Sequence, residues 1–256
     1  MALNKTVLVT GASRGIGRAI VEELLENYTY ISVVAVVRCS SSLATIQEKF
    51  ESRIAIVQGD LKDAKTNIDS VNMAIERFGR LDSLILNAAT VEPVGKIADV
   101  DVDSWKALFD VNYFSLLYML NSAIPHLRSF CGRVIFISSG ASIKPYKSMG
   151  AYSGSKIAMN HLSSVLASEE SSIISISLRP GVVDTDMQTF LRENHASDLD
   201  KDTYARFINL YQTGQLIPPK KIAKIIVNLS LNAKKELSGR FISYDDDEMK
   251  EYVIDN

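Results

Sequence analysis

The sequence predicts one α/β domain in which helices cover both faces of a doubly wound parallel sheet of about seven strands. Apolar, β-branched runs recur along the chain, and segments with helical spacing separate them. The runs are almost continuously apolar, as strands are when both faces of a parallel sheet are covered. No linker, repeat or low-complexity tract divides residues 1–256, so a single domain is predicted.

Six of the expected strands can be located directly. They cover residues 6–10, 31–37, 53–57, 83–86, 133–137 and 173–178. After the first strand, Ile16, Ile20 and Leu24 follow at intervals of four and therefore share one face of a helix. Because this strand–helix alternation continues along the chain, right-handed crossovers and a parallel sheet are expected.

Two segments depart from this alternation. Residues 105–124 predict a long helix with few charges, which is either deeply buried or half of a subunit interface. A homodimer is predicted on this basis. Residues 184–217 are polar and contain no strand pattern. A segment of that length after a sheet strand is usually a binding loop with short helices, so we expect a substrate loop there.

Composition argues against several classes of partner. The net charge of −2 comes from 28 basic and 30 acidic residues spread along the chain, so no nucleic-acid partner is expected. The sequence shows neither a long apolar window nor a signal-peptide pattern, so a cytoplasmic location without membrane contact is expected. The two cysteines, Cys39 and Cys131, are predicted to be reduced and buried. The histidines, His126, His161 and His195, lack metal-ligand spacing, and no metal is expected.

A glycine-rich turn leads from the first strand into the first helix. Gly11 permits the tight turn, Gly15 lets the backbone approach a pyrophosphate, and Gly17 allows close packing of helix and strand. The helix N-terminus offers N–H groups to the anion. A glycine turn without a ligand is the alternative, but its position between strand and helix favours a dinucleotide site of the Rossmann type. The contacts predicted there are Gly11, Ser13, Arg14, Gly15, Ile16 and Gly17.

The end of the second strand indicates which cofactor is bound. A carboxylate at this position would hold the ribose 2′-hydroxyl of NAD, but the strand is followed by Arg38. Arg38 and Arg14 together favour a 2′-phosphate through charge-assisted hydrogen bonds, so NADP(H) is predicted. If Arg38 is only a solvated side chain, Arg14 alone would hold the phosphate.

Three further side chains predict carbonyl chemistry. Tyr152 and Lys156 are four residues apart and share one helix face, and Ser139 follows the fifth strand, where ligands bind in such folds. A carbonyl that accepts hydride must also gain a proton, and a nearby ammonium lowers the pKa of a tyrosine toward neutrality. The serine hydroxyl can donate to the carbonyl oxygen. Ser138 competes for this role, and the spacing to Tyr152 favours Ser139.

These motifs together resemble the short-chain dehydrogenase/reductase family. The resemblance covers nearly the whole chain and rests on the glycine turn at residues 10–17, Asp60-Leu61, Asn87-Ala88-Ala89, Asn112, Ser139, the Tyr152/Lys156 pair and Pro180-Gly181. It implies that Tyr152 and Lys156 also contact the cofactor. It further implies that Asp60 and Leu61 hold the adenine, that Asn87 and Ala88 line the ribose, and that Pro180, Gly181, Val183 and Thr185 lie at the nicotinamide.

The resemblance also assigns Asn112 to the catalytic set. By it, Asn112 kinks its helix and anchors a water that relays protons to Lys156; an exposed helix residue is the alternative. One departure is Ala89, which stands where the family has glycine and adds a methyl group near the ribose.

The implied function is NADPH-dependent reduction of a small carbonyl compound, with Tyr152 as proton donor. The residues from Pro180 to Gln188 and the ending from Ser238 to Asp245 look most similar to sepiapterin reductase and fungal benzil reductases, so a diketone or vicinal dicarbonyl is expected. In sepiapterin reductase an acidic residue near the C-terminus anchors the substrate, a part that Asp245 or Asp246 would take. The alternatives are a 3-oxoacyl or hydroxysteroid reductase of the same family and a non-catalytic NADP(H)-sensing regulator.

Overall fold

The computed structural model describes residues 4–253. Its strands are β1 Lys5–Thr10, β2 Ile31–Val37, β3 Ile54–Gln58, β4 Ser83–Leu86, β5 Arg133–Ile137, β6 Ile174–Arg179 and β7 Phe241–Ser243. Its α-helices are α1 Gly15–Asn27, α2 Ala44–Lys49, α3 Ala64–Phe78, α4 Val102–Phe109, α5 Ser115–Ser129, α6 Gly150–Glu169, α7 Asp186–Asn194, α8 Lys201–Gln212 and α9 Pro219–Asn232. The predicted α/β class is confirmed.

The strands form one parallel sheet in the order β3-β2-β1-β4-β5-β6-β7. The chain moves outward from β1 to β3, returns to β4 on the other side of β1, and then moves outward to β7. Ligands in open α/β sheets bind at such a reversal point, beyond the carboxyl ends of the strands. The reversal between β1 and β4 therefore fixes where the functional site is to be sought.

Each face of the sheet has its own apolar core. On one face, residues of β1 and β2 such as Val7 and Val33 pack with α1 and α9; on the other, Leu8 and Val34 pack with α3, α5 and α6. All seven residues of β2 are buried. This double cover explains why the strands are apolar without alternation.

The seventh strand was expected but could not be located from the sequence. β7 has three residues and pairs only with β6 at the edge of the sheet. A run this short carries no recognisable periodicity, so its position is fixed by pairing with β6 and not by its own pattern.

The long apolar helix runs from α4 through α5, with a π-helical turn at Asp110–Phe114 between them. Its buried side packs on the sheet, while Phe114 and Tyr118 are 45% and 42% exposed. Neighbouring Ile157 on α6 is 54% exposed. Among residues 4–253 no helix has the length and apolar character needed to cross a bilayer.

The prediction that the cysteines are reduced is confirmed, because Cys39 and Cys131 are both free thiols. The prediction that they are buried is wrong, because both are exposed. Cys39 lies just beyond the end of β2, and Cys131 lies in the turn between α5 and β5, where its φ is +49°. Both cysteines therefore lie in surface loops. The general preference of cysteine for buried positions gave no indication of this location.

Candidate active site

A cavity of about 1140 Å³ opens at the carboxyl edge of the sheet, at the reversal point. Segments that follow β1, β2, β3, β4, β5 and β6 contribute to its wall, as do α7 and α8. It brings together the predicted residues Gly11, Ser13, Arg14, Gly15, Ile16, Arg38, Asp60, Leu61, Asn87, Ala88, Ser139, Tyr152, Lys156, Pro180, Gly181, Val183 and Thr185. Of the predicted site residues, Gly17 and Asn112 do not line it and are buried behind the wall.

The glycine turn has the conformation that its sequence predicts. Gly11 and Gly15 have φ of +66° and +53°, which L side chains rarely adopt. A Cβ at Gly11 would lie 2.8 Å from Cα of Ala88, and a Cβ at Gly17 would lie 2.6 Å from Nδ2 of Asn87. The turn is therefore packed directly against the segment after β4, and side chains at these positions would push the two apart.

Asn87, the residue directly after β4, stabilises this turn by hydrogen bonds. Its amide Nδ2 donates to the carbonyl oxygens of Thr10 and Gly11 at 3.0 and 3.2 Å. The backbone N–H groups of Asn87 and Ala88 donate to Oγ1 of Thr10 at 3.0 and 3.1 Å. Thr10 was not among the predicted site residues, although its place directly before Gly11 was the available signal. The amide of Asn87 thus holds the turn, while the residue still faces the cavity.

The first turn of α1 faces the cavity from behind the glycine turn. Its N-cap residue, Arg14, provides no side-chain cap, and no acidic residue occupies the first turn. The N–H groups at the helix start are consequently available to an anion, and the helix dipole favours one there. This geometry can hold a pyrophosphate.

The two predicted cations differ in their surroundings. Nη1 of Arg14 forms an ion pair with Asp186 of α7 at 2.8 Å, and both side chains are well exposed. Arg38 is exposed and makes no hydrogen bond or ion pair within residues 4–253. Arg38 is therefore the cation that a ligand can engage without breaking an existing contact. Nothing in the sequence indicated the pairing of Arg14, because Asp186 is distant along the chain.

Asp60 and Leu61 follow β3 and line the same side of the cavity as Arg38. Oδ1 of Asp60 accepts the backbone N–H of Lys62 at 3.0 Å, and Nζ of Lys62 lies 3.5 Å from Oδ2. This local turn fixes the backbone of the segment at the rim.

Tyr152 and Lys156 lie in the first turns of α6 and are 8% and 1% exposed. Nζ of Lys156 donates to the carbonyl oxygen of Ile137, at the end of β5, at 2.8 Å. It lies 5.7 Å from the centroid of the Tyr152 ring. The phenol and the amine therefore face the cavity side by side, with the amine anchored to the sheet.

The two candidate serines are separated by their hydrogen bonds. Ser138 donates from Oγ to Oδ1 of Asn160 at 2.6 Å. Ser139 accepts the backbone N–H of Ala141 at 3.1 Å, and its hydroxyl interacts with the Tyr152 phenol. Since Ser138 is engaged by Asn160, Ser139 is the serine that lies with Tyr152.

Burial dominates the protonation of this pair. It raises the pKa of Tyr152, and hydrogen bonding with Ser139 only partly offsets the rise. Burial also lowers the pKa of Lys156 from 10.5 to about 7. The expected lowering of the tyrosine pKa by the ammonium is absent in this structure. Because Lys156 is itself near half-protonation at neutral pH, its charge is adjustable and not permanent.

Asn112 occupies the π-helical turn and is fully buried, so the exposed alternative is wrong. Its Oδ1 accepts the N–H of Thr90 at 2.9 Å, and its Nδ2 donates to the carbonyl of Thr90 at 2.8 Å and to Oγ of Ser155 at 3.1 Å. A π-helical turn is the predicted irregularity of the helix. The side chain links three elements around Tyr152 and does not itself face the cavity.

The segment after β6 closes the cavity from the opposite side. Gly181 has φ of +78°, and a Cβ there would lie 2.6 Å from Cε1 of Tyr244. Val183 is buried and forms a β-bridge with Ile217, which ties the two ends of the segment 184–217 together. Thr185 packs against Gly15, because a Cβ at Gly15 would lie 3.2 Å from its Cγ2. The segment contains α7 and α8, and both contribute to the wall.

Of the two acidic residues near the C-terminus, Asp245 lines the cavity and Asp246 does not. Asp245 forms an ion pair with Arg179 at 3.2 Å and a short hydrogen bond with Ser243. These contacts lower the pKa of Asp245. It is therefore a charge-compensated part of the wall and not a free anion aimed at a ligand.

Comparison with known proteins identifies the family. The model described as "short chain dehydrogenase" matches residues 5–196. The chain belongs to the short-chain dehydrogenase family. An uncharacterized oxidoreductase of Schizosaccharomyces pombe is 40% identical over 94% of this chain and 96% of its own. A benzil reductase ((S)-benzoin forming) of Saccharomyces cerevisiae is 35% identical over 96% of this chain and 98% of its own.

A solved structure is similar over the same length. The crystal structure of a short-chain dehydrogenase/reductase from Saccharomyces cerevisiae covers 98% of this chain and all of that one, with a TM-score of 0.95 and 36% identity. The chain is thus an oxidoreductase of the short-chain dehydrogenase family, which uses nicotinamide cofactors.

The residues of this short-chain dehydrogenase fit such a cofactor. The left-handed glycines let the backbone of the turn pack closely against Ala88 and Thr185, and the uncapped start of α1 faces the cavity beside this turn. Both features serve a pyrophosphate.

Proposed function

We propose that the protein is an NADPH-dependent reductase of a small carbonyl compound, a diketone or vicinal dicarbonyl of the benzil or sepiapterin type. The observation that carries the proposal is the meeting of Ser139, Tyr152 and Lys156 with the glycine turn in one cavity. The likeness to a yeast benzil reductase supports the substrate class.

The cofactor would lie between the glycine turn and α6, with Arg38 beside its 2′-phosphate. When bound, the nicotinamide supplies the hydride that reduces the carbonyl carbon. Residues 180–185 lie on the opposite wall of the cavity and would contact the carboxamide.

The side chains of the protein supply the proton and stabilise the negative charge that develops during the reaction. Tyr152 gives its proton to the carbonyl oxygen, so that the C=O group gains a hydride and a proton and becomes CH–OH. Ser139 donates a hydrogen bond to the same oxygen and fixes its position. As the phenol loses its proton, a protonated Lys156 stabilises the tyrosinate, and its pKa of about 7 allows it to pass a proton on. Asn112 positions the helix α6 through Ser155.

The direct test is NADPH oxidation, followed by absorbance, with benzil, sepiapterin, a 3-oxoacyl thioester, a 3-ketosteroid and a simple ketone. We expect the highest kcat/KM with a vicinal dicarbonyl, and a markedly lower rate with NADH. A preference for the thioester or the steroid would reassign the substrate class. NADPH binding without any reduction would favour the sensing regulator over the enzyme.

Replacement of Arg38 by alanine tests the cofactor preference. A charge-assisted hydrogen bond to a phosphate contributes about 1.5–3 kcal/mol, so KM for NADPH should rise roughly 10- to 100-fold while KM for NADH changes little. Arg77, which is exposed and lies outside the cavity, provides the matched arginine-to-alanine control. Equal effects on both cofactors would contradict the assignment.

We also propose that the protein is a homodimer that joins through α5 and α6. Phe114 in the π-helical turn, Tyr118 on α5 and Ile157 on α6 are exposed apolar side chains, and their burial between subunits would be favourable. Light scattering should give twice the chain mass, and Phe114→Glu/Tyr118→Glu should shift it toward the monomer. A monomeric wild-type protein would exclude this arrangement.

A cytoplasmic location stays a prediction, and imaging of a fluorescent fusion tests it.

A further inference from the structure

Two cations flank a tyrosine at the part of the cavity wall that is built by α8 and by the segment after β5. Nη1 of Arg206 donates to the hydroxyl of Tyr146 at 3.2 Å, and Nζ of Lys144 lies 5.5 Å from the centroid of the same ring. All three residues line the cavity. Arg206 and Tyr146 are 60 positions apart in sequence, so only the fold brings them together.

The charges around the cavity do not balance. Three of the cations that line it have carboxylate partners, in the pairs Arg14–Asp186, Lys62–Asp60 and Arg179–Asp245. Within residues 4–253, four lining cations form no ion pair, namely Arg38, Lys144, Lys156 and Arg206, and Glu92 is the lining carboxylate that also forms none. Arg38 is already assigned to the cofactor and Lys156 to Tyr152. Lys144 and Arg206 thus remain against the single carboxylate of Glu92, which leaves a surplus of positive charge on the wall that faces the substrate.

The surface between these cations and Tyr152 is apolar. Met149, Tyr152, Leu191 and Phe207 belong to one buried cluster, and Tyr146 packs against it with its ring centroid 6.5 Å from that of Phe207. A ligand with its carbonyl at Tyr152 would therefore first cross apolar side chains and then reach the two cations.

We infer that Lys144 and Arg206 form a subsite for an anionic group, so that the preferred substrate is a carbonyl compound with an apolar spacer and a terminal carboxylate. This inference rests on the proposed reductase function and specifies its substrate class. Both cations are exposed, so the attraction is partly screened, and a tenfold preference for the charged substrate is expected. The hydroxyl of Tyr146 orients the guanidinium and can itself donate to the anion.

The test compares two substrates that differ in charge and by one methyl group, benzil-4-carboxylate and its methyl ester. At low ionic strength the wild-type kcat/KM for the acid should exceed that for the ester about tenfold. In Lys144→Gln/Arg206→Gln this ratio should fall to about 1, and because the readout is a ratio, a general loss of activity cancels. Lys147→Gln/Lys201→Gln removes the same charge from the same two segments outside the cavity and should leave the ratio at the wild-type value.

The outcomes separate the inference from the function on which it rests. A wild-type ratio at or below 1, or a ratio that survives the loss of both cations, overturns the anionic subsite while reduction of either compound upholds the reductase. If benzil, the acid and the ester all fail to oxidise NADPH, the proposed function fails and the subsite with it.

Discussion

Replacement of Tyr152 by phenylalanine should lower kcat/KM for the carbonyl substrate by roughly 100- to 10 000-fold, the range over which a positioned acid contributes. The substitution removes one buried hydroxyl and keeps the ring, so the apolar packing around residue 152 is preserved. Ser139 and Lys156 are left in place, but neither can take over the proton at the same position. The measurement is NADPH oxidation under steady-state conditions.

Cofactor binding is the control for this variant. The dissociation constant for NADPH, measured by fluorescence titration, should stay within about threefold of the wild-type value, because the glycine turn and Arg38 are untouched. Tyr204→Phe removes a phenol that donates to the carbonyl of Arg192 away from the cavity, and should retain activity. A Tyr152→Phe protein with more than a tenth of the wild-type turnover would remove the phenol from the mechanism.

Replacement of Lys156 by methionine should have opposite effects on activity and on cofactor-free stability. Activity should fall at least 100-fold, since no cation remains to stabilise the tyrosinate. In the folded protein the pKa of Lys156 is lowered to about 7 from 10.5, so a buried ammonium opposes folding below pH 7. The unfolded chain binds more protons between pH 7 and 10.5, and this opposition therefore fades as the pH rises through that window.

The difference in the free energy of unfolding between the variant and the wild type should accordingly shrink as the pH rises. At pH 6 the methionine variant should be more stable by about 4 kcal/mol, because a pKa lowered from 10.5 to about 7 opposes folding by about 5 kcal/mol at about 1.4 kcal/mol per pKa unit, and the lost hydrogen bond to Ile137 takes back about 1 kcal/mol. At pH 10 the two proteins should be about equally stable, because most of the cost of the buried ammonium is gone and the carbonyl of Ile137 lacks its donor in the variant. Urea denaturation at both pH values measures this, with exposed Lys221→Met on α9 as control. Identical differences at the two pH values would show that Lys156 is not held neutral by burial.

The sequence alone predicted the class of fold and most of the cavity wall. Continuously apolar strands indicate a parallel sheet with helices on both faces, and in such a sheet the residues after each strand converge at one edge. This rule predicts, without any knowledge of contacts, that five residues lie close together at that edge: Gly11, Asp60, Asn87, Ser139 and Gly181. The helical spacing of Tyr152 and Lys156 is equally local, so their shared face was predictable.

The protonation of the site was not predictable in the same way. The sequence places an amine near a phenol, which favours a lowered tyrosine pKa. In the fold both groups are buried, and Lys156 is directed to the carbonyl of Ile137. Desolvation depends on everything packed around a side chain, and so the pKa of Tyr152 rises instead.

Partners that are distant along the chain also emerged only from the tertiary structure. The pairing of Arg14 with Asp186, the engagement of Ser138 by Asn160 and the convergence of Tyr146 with Arg206 each join separate segments. Strand and helix patterns are local and can be recognised in the sequence. Burial and charge pairing depend instead on which segments pack together. The sequence therefore determined the scaffold and its reactive edge, and the packing of the segment 184–217 over that edge decided which charges remain for a substrate.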